Sequence, residues 1–149
     1  MKPTLLTLII FLSPVIFAHD GGHGPKLTDG PKQGGTIAPV VNFNEAHKGA
    51  DAQLQFKSEF VRSEDGTLRL FIYDKDLNPV ALTAFDKAAK GVVEVLKKGK
   101  VTKKLNFDLT QQEGAFVGKA PRSPSKPYNI YVILKSNKKE YLTELSHVD

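Results

Sequence analysis

The sequence predicts an all-β protein: an immunoglobulin-like antiparallel β-sandwich of about seven to nine strands, with a disordered N-terminal arm. From residue 36 onward, apolar side chains recur at every second position within short runs. Turn-forming residues separate these runs roughly every 8–12 residues, the spacing typical of sandwiches. The chain has 149 residues, 40% of them hydrophobic, which suits one domain with a packed core. The prediction concerns architecture only, because the chain lacks the Cys and Trp of true immunoglobulin domains.

The first 18 residues have the pattern of a secretory signal peptide. Lys2 supplies a positive charge, residues 5–12 form a short apolar run, and Ala18 is a small residue at the expected cleavage point. A membrane span needs about 20 apolar residues, and this run is shorter. We therefore expect a periplasmic or secreted protein that begins at His19 and has no membrane span after cleavage. The alternative is an uncleaved N-terminal anchor.

Residues 19–35 are rich in glycine and contain two histidines, two prolines and little apolar surface. Such a segment cannot bury enough surface to offset the entropy lost on ordering, so we expect a flexible His/Gly-rich arm. The β-sandwich domain is expected to occupy residues 36–149.

Alternation and turn residues divide this domain into nine candidate strands. They cover residues 36–41, 53–60, 67–73, 80–82, 92–96, 101–109, 115–118, 128–134 and 141–145. Pro39 cannot donate a ladder hydrogen bond, so the first run is predicted to be an edge strand. The turn Ser63–Gly66 joins the second and third runs into a hairpin. Residues 128–134, the most apolar run, are expected to be central.

The segments between these strands are predicted to be connections. Residues 42–50 form a polar loop, residues 83–90 cross between sheets, and residues 121–127 form a proline-rich connector. Asp74 begins a spacing that resembles half of a calcium loop. However, Pro79 stands where an EF-hand needs glycine, so a polar turn is expected there.

Charge and motif content argue against nucleic-acid binding and catalysis. The net charge is +5, and the lysines are interpreted as scattered over the surface. Such a mildly basic surface suits solubility or loose association with anionic envelope components. No hydrolase or metalloprotease motif is present, and the chain has no cysteine. Glu59 and Glu94 alternate with apolar residues, so both are expected to face solvent. A non-enzymatic protein is predicted.

The candidate metal ligands are histidines in and near the arm. At a mature N-terminus, the amine and imidazole of His19 could chelate one metal ion. His23 could add a third nitrogen, and Asp20 an oxygen. Nitrogen-rich sites of this kind suit Cu(II), Ni(II) or Zn(II). The alternative is a solvated linker in which these histidines have no role.

Two further histidines are weaker candidates. His47 lies beside Glu45 in the loop after the first strand and could complete the site if the arm packs there. A single loop histidine is otherwise solvated. His147, beside Asp149, is the weakest candidate.

Four segments in order, "GGTIAPV", "GTLRLFIYDKDLNPVAL", "GVVEVLKKGK" and "EGAFVGKAP", follow the His/Gly arm. This arrangement resembles small periplasmic domains found alone or alongside bacterial heavy-metal efflux adaptor proteins. The resemblance implies handling of Cu, Zn, Ni or Co together with an efflux partner, with His19, His23 and His47 as the matching residues. Gln33 departs from the pattern, because a histidine often precedes the two glycines in that group.

Two functional hypotheses from different classes follow. The first is non-enzymatic binding of a divalent transition metal, linked to efflux. The second is an envelope protein–protein interaction domain with no metal role, in which the arm is only a tether.

Overall fold

The structure is a computed structural model that describes residues 22–148. The expected signal peptide, its cleavage point and His19 lie outside the described residues, and so does the side chain of His147. Among residues 22–148, no helix has the length and apolar character needed to cross a membrane.

Within the described range, eight antiparallel strands form one sheet that closes into a barrel, in the order β1-β2-β3-β6-β5-β4-β7-β8. The strands are β1 (Thr36–Asn42), β2 (Leu54–Arg62), β3 (Thr67–Tyr73), β4 (Ala88–Lys97), β5 (Lys100–Gln112), β6 (Ala115–Lys119), β7 (Tyr128–Ser136) and β8 (Lys139–Val148). Two 3₁₀ segments, Phe43–Asp51 and Leu82–Ala84, follow β1 and precede β4.

The all-β prediction is confirmed, but the sandwich prediction is wrong. Strand length and turn spacing are the same in a sandwich and in a small barrel, so the local pattern does not separate them. Two non-local pairings decide the matter: β3 pairs with β6, and β1 pairs with β8. The second pairing joins the first strand to the last and leaves one closed sheet.

The edge-strand prediction for β1 is wrong for its last residues. β1 pairs with β2 from Thr36 to Val41, and with β8 from Val40 to Asn42. Pro39 lies immediately before the pairing with β8 begins. Its missing N–H therefore interrupts no ladder on that side, which explains how proline is accommodated.

The barrel interior holds the main apolar core. Inward side chains come from all eight strands, and the fully buried members include Phe60, Leu68, Leu70, Val93, Leu109, Phe116, Val132 and Leu134. One polar pair lies among them: Ser58 Oγ and Thr143 Oγ1 are 2.6 Å apart. Each buried hydroxyl thus has a partner, as low-dielectric surroundings require.

A second, smaller apolar cluster lies on the outer face of β1, β7 and β8. There the first 3₁₀ segment packs Ala46 against Val41 and Leu142, with Ile133 at the margin. Residues 42–50, expected to be a polar loop, thus fold onto the barrel, and this packing positions the site described below.

The segment before β4 differs from the prediction. Residues 80–82 do not form a strand; the only pairing near them is an isolated bridge between Tyr73 and Pro79. Phe85 follows the second 3₁₀ segment and is 6% exposed, with its ring directed into the core.

Gly118 allows β5 and β6 to approach closely. A Cβ at this position would lie 2.3 Å from the carbonyl oxygen of Asp108, which is backbone and cannot rotate away. We expect Gly118→Ala to lower the free energy of unfolding by about 2 kcal/mol, as overpacking does. Urea unfolding measures the change. Gly30→Ala is the control, because a Cβ there meets nothing within 4 Å. Equal stability of the two variants would contradict the prediction.

Candidate functional site

His23 lies against the outer face of the barrel, where the segment that precedes β1 contacts β8. Its side chain is 16% exposed, and its ring centroid is 5.9 Å from that of Tyr131. The backbone N–H of His23 donates to Glu144 Oε2 at 3.3 Å, and that of Gly24 donates to the carbonyl of Gly49 at 2.9 Å. These two hydrogen bonds fasten the start of the described chain to β8 and to the first 3₁₀ segment.

The ring of His23 is oriented by a backbone carbonyl. Nδ1 lies 2.7 Å from the carbonyl oxygen of Ala46, which can only accept, so Nδ1 carries the proton. In the neutral ring the lone pair is then on Nε2. A backbone carbonyl that holds one ring nitrogen in this way is a common outer partner of metal-ligating histidines.

Nε2 faces the carboxylate of Glu144. Nε2 and Oε2 are 3.6 Å apart, and the Glu144 side chain is 6% exposed. Ser146 Oγ donates to the other carboxylate oxygen at 2.6 Å, which fixes the orientation of the carboxylate. A proton on Nε2 or a metal ion between the two atoms would be attracted by both groups.

The separation of 3.6 Å is close to that of two ligands on one metal ion. Nitrogen and oxygen ligands lie about 2.0–2.1 Å from zinc, so two of them in a tetrahedral arrangement are about 3.3 Å apart. A shift of a few tenths of an ångström would bring His23 and Glu144 to that spacing. We refer to this pair as the His23–Glu144 site.

Tyr131 forms one wall of the His23–Glu144 site. It lies directly opposite Glu144 in the β7–β8 register, and Asn129 Nδ2 donates to its hydroxyl at 3.4 Å. Burial raises the pKa of Tyr131 well above its ordinary value, and the negative charge of Glu144 raises it further. Without a bound cation, Tyr131 therefore stays a neutral hydroxyl at physiological pH.

The structure brings His47 into the neighbourhood of His23 but leaves its side chain exposed. His47 directly follows Ala46, whose carbonyl holds the His23 ring. Glu45, the expected neighbour, accepts a hydrogen bond from Lys48 Nζ at 3.0 Å. Among residues 22–148, no group of three or more His, Asp or Glu side chains is arranged to hold a metal ion.

Glu144 is the site residue that sequence reasoning missed. Alternation in residues 141–145 places it on the outer face of β8, which is where it lies. However, it is 121 residues from His23 in the chain, and only the folded structure joins them.

Glu59 was expected to face solvent and is instead fully buried. Its carboxylate accepts the backbone N–H groups of Lys32, Gln33 and Gly35 at 3.0, 2.7 and 2.8 Å, and the Tyr73 hydroxyl at 3.0 Å. The residue points away from the core, as alternation predicts, but the preceding chain covers it.

The residues that cover Glu59 belong to the segment that was expected to be a flexible arm. Residues 22–35 have no helix or strand. Asp29 also pairs with Lys57 Nζ at 2.9 Å, next to the carboxylate of Glu59. The described part of the arm therefore contacts the barrel at several points, and its flexibility stays a prediction.

Comparison with known proteins identifies no relative. The chain matches no protein-family model, no curated protein and no solved structure. The relationship to heavy-metal efflux domains stays a prediction.

Proposed function

We propose that this protein is a non-enzymatic periplasmic or secreted protein that binds one divalent transition metal ion, Cu, Zn, Ni or Co, in the service of an envelope efflux partner. His23 and Glu144 are the ligands that we assign, and His19 and His47 are further candidates. The observation that carries the proposal is the 3.6 Å separation of His23 Nε2 and Glu144 Oε2, with Nδ1 held by a backbone carbonyl.

The chemistry of the two groups fits such an ion. Imidazole nitrogen suits Zn, Cu and Ni, and a carboxylate adds a charged oxygen ligand. The positive charge of the metal ion would attract both the Nε2 lone pair of His23 and the carboxylate of Glu144. His19 is four positions before His23 in the sequence, and the three residues between them form a segment short enough to bring a third nitrogen to the same ion.

Calorimetric titration with Cu(II), Zn(II) and Ni(II) tests the proposal, after mass spectrometry has identified the N-terminal residue of the purified chain. We expect saturable binding near one equivalent. His23→Ala should weaken it by at least about 100-fold, because losing a ligand costs more than the 10–100-fold of losing its outer partner. Glu144→Gln, which keeps a neutral oxygen, should weaken it about 10-fold.

Glu140→Gln is the matched control, since Glu140 is on the same strand and pairs with Lys135 at the surface. It should bind like the unmodified chain, and thermal unfolding checks that each variant is folded. His19→Ala and His47→Ala, each titrated in the same way, test the two further candidate ligands. Heat at the dilution level for all three metals would contradict the proposal and favour the second candidate, an envelope interaction domain without a metal role.

A further inference from the structure

The hairpin that joins β4 and β5 carries a concentration of positive charge. Residues 97–104, "KKGKVTKK", contain five lysines, and every residue in this range is exposed. We refer to residues 97–104 as the basic hairpin. The prediction that the lysines are scattered is therefore wrong, because five of them are concentrated in this hairpin.

The turn geometry forces these lysines together. Lys98 and Gly99 have positive φ values of 52° and 72° and form the two-residue turn, which places Lys97 directly opposite Lys100. Like charges directly opposite each other in a ladder are destabilising. Of the five lysines, only Lys104 has an ion pair among the described residues, with Glu94 at 2.7 Å.

A lysine from the connection that precedes β7 adds to the positive charge of the basic hairpin. The N–H of Leu96 donates to the carbonyl of Pro127 at 3.1 Å, and this bond brings the exposed Lys126 beside the base of the basic hairpin. The barrel therefore has one strongly positive corner, where four of the five lysines of the basic hairpin have no ion pair among the described residues.

An apolar side chain lies among the lysines. Val101 is 45% exposed, one of two large hydrophobic side chains with such exposure among the described residues. It directly follows Lys100 and comes two residues before Lys103. A protruding tip that combines ammonium groups with an exposed apolar side chain suits an interface that is charged at its surface and apolar beneath.

We propose that the basic hairpin docks this protein onto the surface of an anionic phospholipid bilayer. The ammonium groups of Lys97, Lys98, Lys100 and Lys103 contact headgroup phosphates, and Val101 enters the boundary between headgroups and acyl chains. Lysines act as mobile point charges and suit a diffuse anionic surface, whereas a defined phosphate or carboxylate pocket favours the planar fork of arginine. A single-stranded nucleic acid would call for aromatic side chains between the charges, and residues 97–104 contain none.

Vesicle co-sedimentation tests this docking without any metal. The purified chain is mixed with vesicles of phosphatidylcholine alone, or with vesicles that also contain about 30 mol% of the anionic lipid phosphatidylglycerol. We expect binding only to the anionic vesicles. Replacing Lys98, Lys100 and Lys103 together by Gln should reduce the partition coefficient about 100-fold, at about fivefold for each lysine.

The matched control is the triple variant Lys75→Gln, Lys87→Gln, Lys139→Gln. These three lysines are exposed at the opposite end of the barrel, and their removal gives the same net charge. The control should bind anionic vesicles like the unmodified chain. Val101→Ser should weaken binding about fivefold, through lost apolar burial.

Four results would overturn all or part of the proposal. Equal binding to both vesicle types would show that the association does not depend on the charge of the headgroups. An equal loss in both triple variants would reduce the effect to net charge. Failure to bind anionic vesicles, with retention on an acidic protein, would assign the basic hairpin to a protein partner. An unchanged Val101→Ser variant would remove Val101 from the contact.

Discussion

Phe85→Ala is expected to lower the free energy of unfolding by about 4 kcal/mol, the largest effect of any substitution considered. The ring lies edge-on to Phe56, Phe116 and Tyr141, with centroid distances of 5.5, 6.3 and 6.4 Å. Truncation would leave a cavity under a closed sheet that cannot collapse to fill it. Urea unfolding measures the loss, and thermal unfolding should shift down by roughly 10–15 °C.

The control is Phe43→Ala, which removes the same atoms from a side chain that is 41% exposed. It should cost clearly less than Phe85→Ala, since a large part of the Phe43 side chain is already exposed and less apolar surface is lost from burial. A loss below about 1 kcal/mol for Phe85→Ala would mean that Phe85 is not part of the core.

Glu59→Gln is expected to lower the free energy of unfolding by about 3 kcal/mol. The carboxylate accepts three backbone N–H groups and the Tyr73 hydroxyl, and the amide would turn an N–H₂ donor toward some of these donors. We also expect the amides of Gln33 and Gly35 to exchange hydrogen faster. Urea unfolding and amide exchange measured by mass spectrometry check the two effects.

The same substitution should change how stability depends on pH. Burial raises the pKa of Glu59, but the hydrogen bonds from the backbone N–H groups and the Tyr73 hydroxyl together lower it by more than burial raises it. The pKa of Glu59 therefore lies below the ordinary value of 4.5. A carboxylate with a depressed folded-state pKa contributes stability that is fully present above 4.5 and is lost as the pH falls through the folded-state value. The difference in the free energy of unfolding between wild type and Glu59→Gln should therefore be constant above pH 4.5 and shrink as the pH falls below that value.

Glu113→Gln serves as the comparison, because that side chain is 87% exposed and its nearest cation, Arg69, is 4.0 Å away. It should change the stability by less than about 0.5 kcal/mol at any pH. Equal pH profiles for the two variants would show that Glu59 does not hold residues 32–35.

The sequence predicts well those parts of the fold that depend on neighbours in the chain. The turn Ser63–Gly66 and the alternation on either side predict the β2–β3 hairpin, and β3 has the predicted bounds, Thr67–Tyr73. Closure of the barrel is different. It depends on β1 meeting β8, and no local pattern in either strand records its partner.

The candidate site divides in the same way. His23 is recognisable as a possible ligand from its residue type and its place in the arm. Glu59 lies on an outer face, as its alternation predicts, and so does Glu144, which was not singled out from the sequence. Both are nevertheless buried, because residues 22–35 return over the sheet and cover them. Whether a residue on the outer face is buried depends on tertiary contacts, and the alternation of apolar and polar residues along a strand does not predict those contacts.

The pairing of β1 with β8 also governs the order in which this chain can fold. Only three residue pairs join the two strands, Val40 to Asn42 with Tyr141 to Thr143, and they close a loop of about a hundred residues. A chain emerging from synthesis cannot enclose its interior until β8 arrives. High contact order of this kind slows folding, and it leaves the strands of the unfinished sheet exposed to pairing with other chains until β1 and β8 have met.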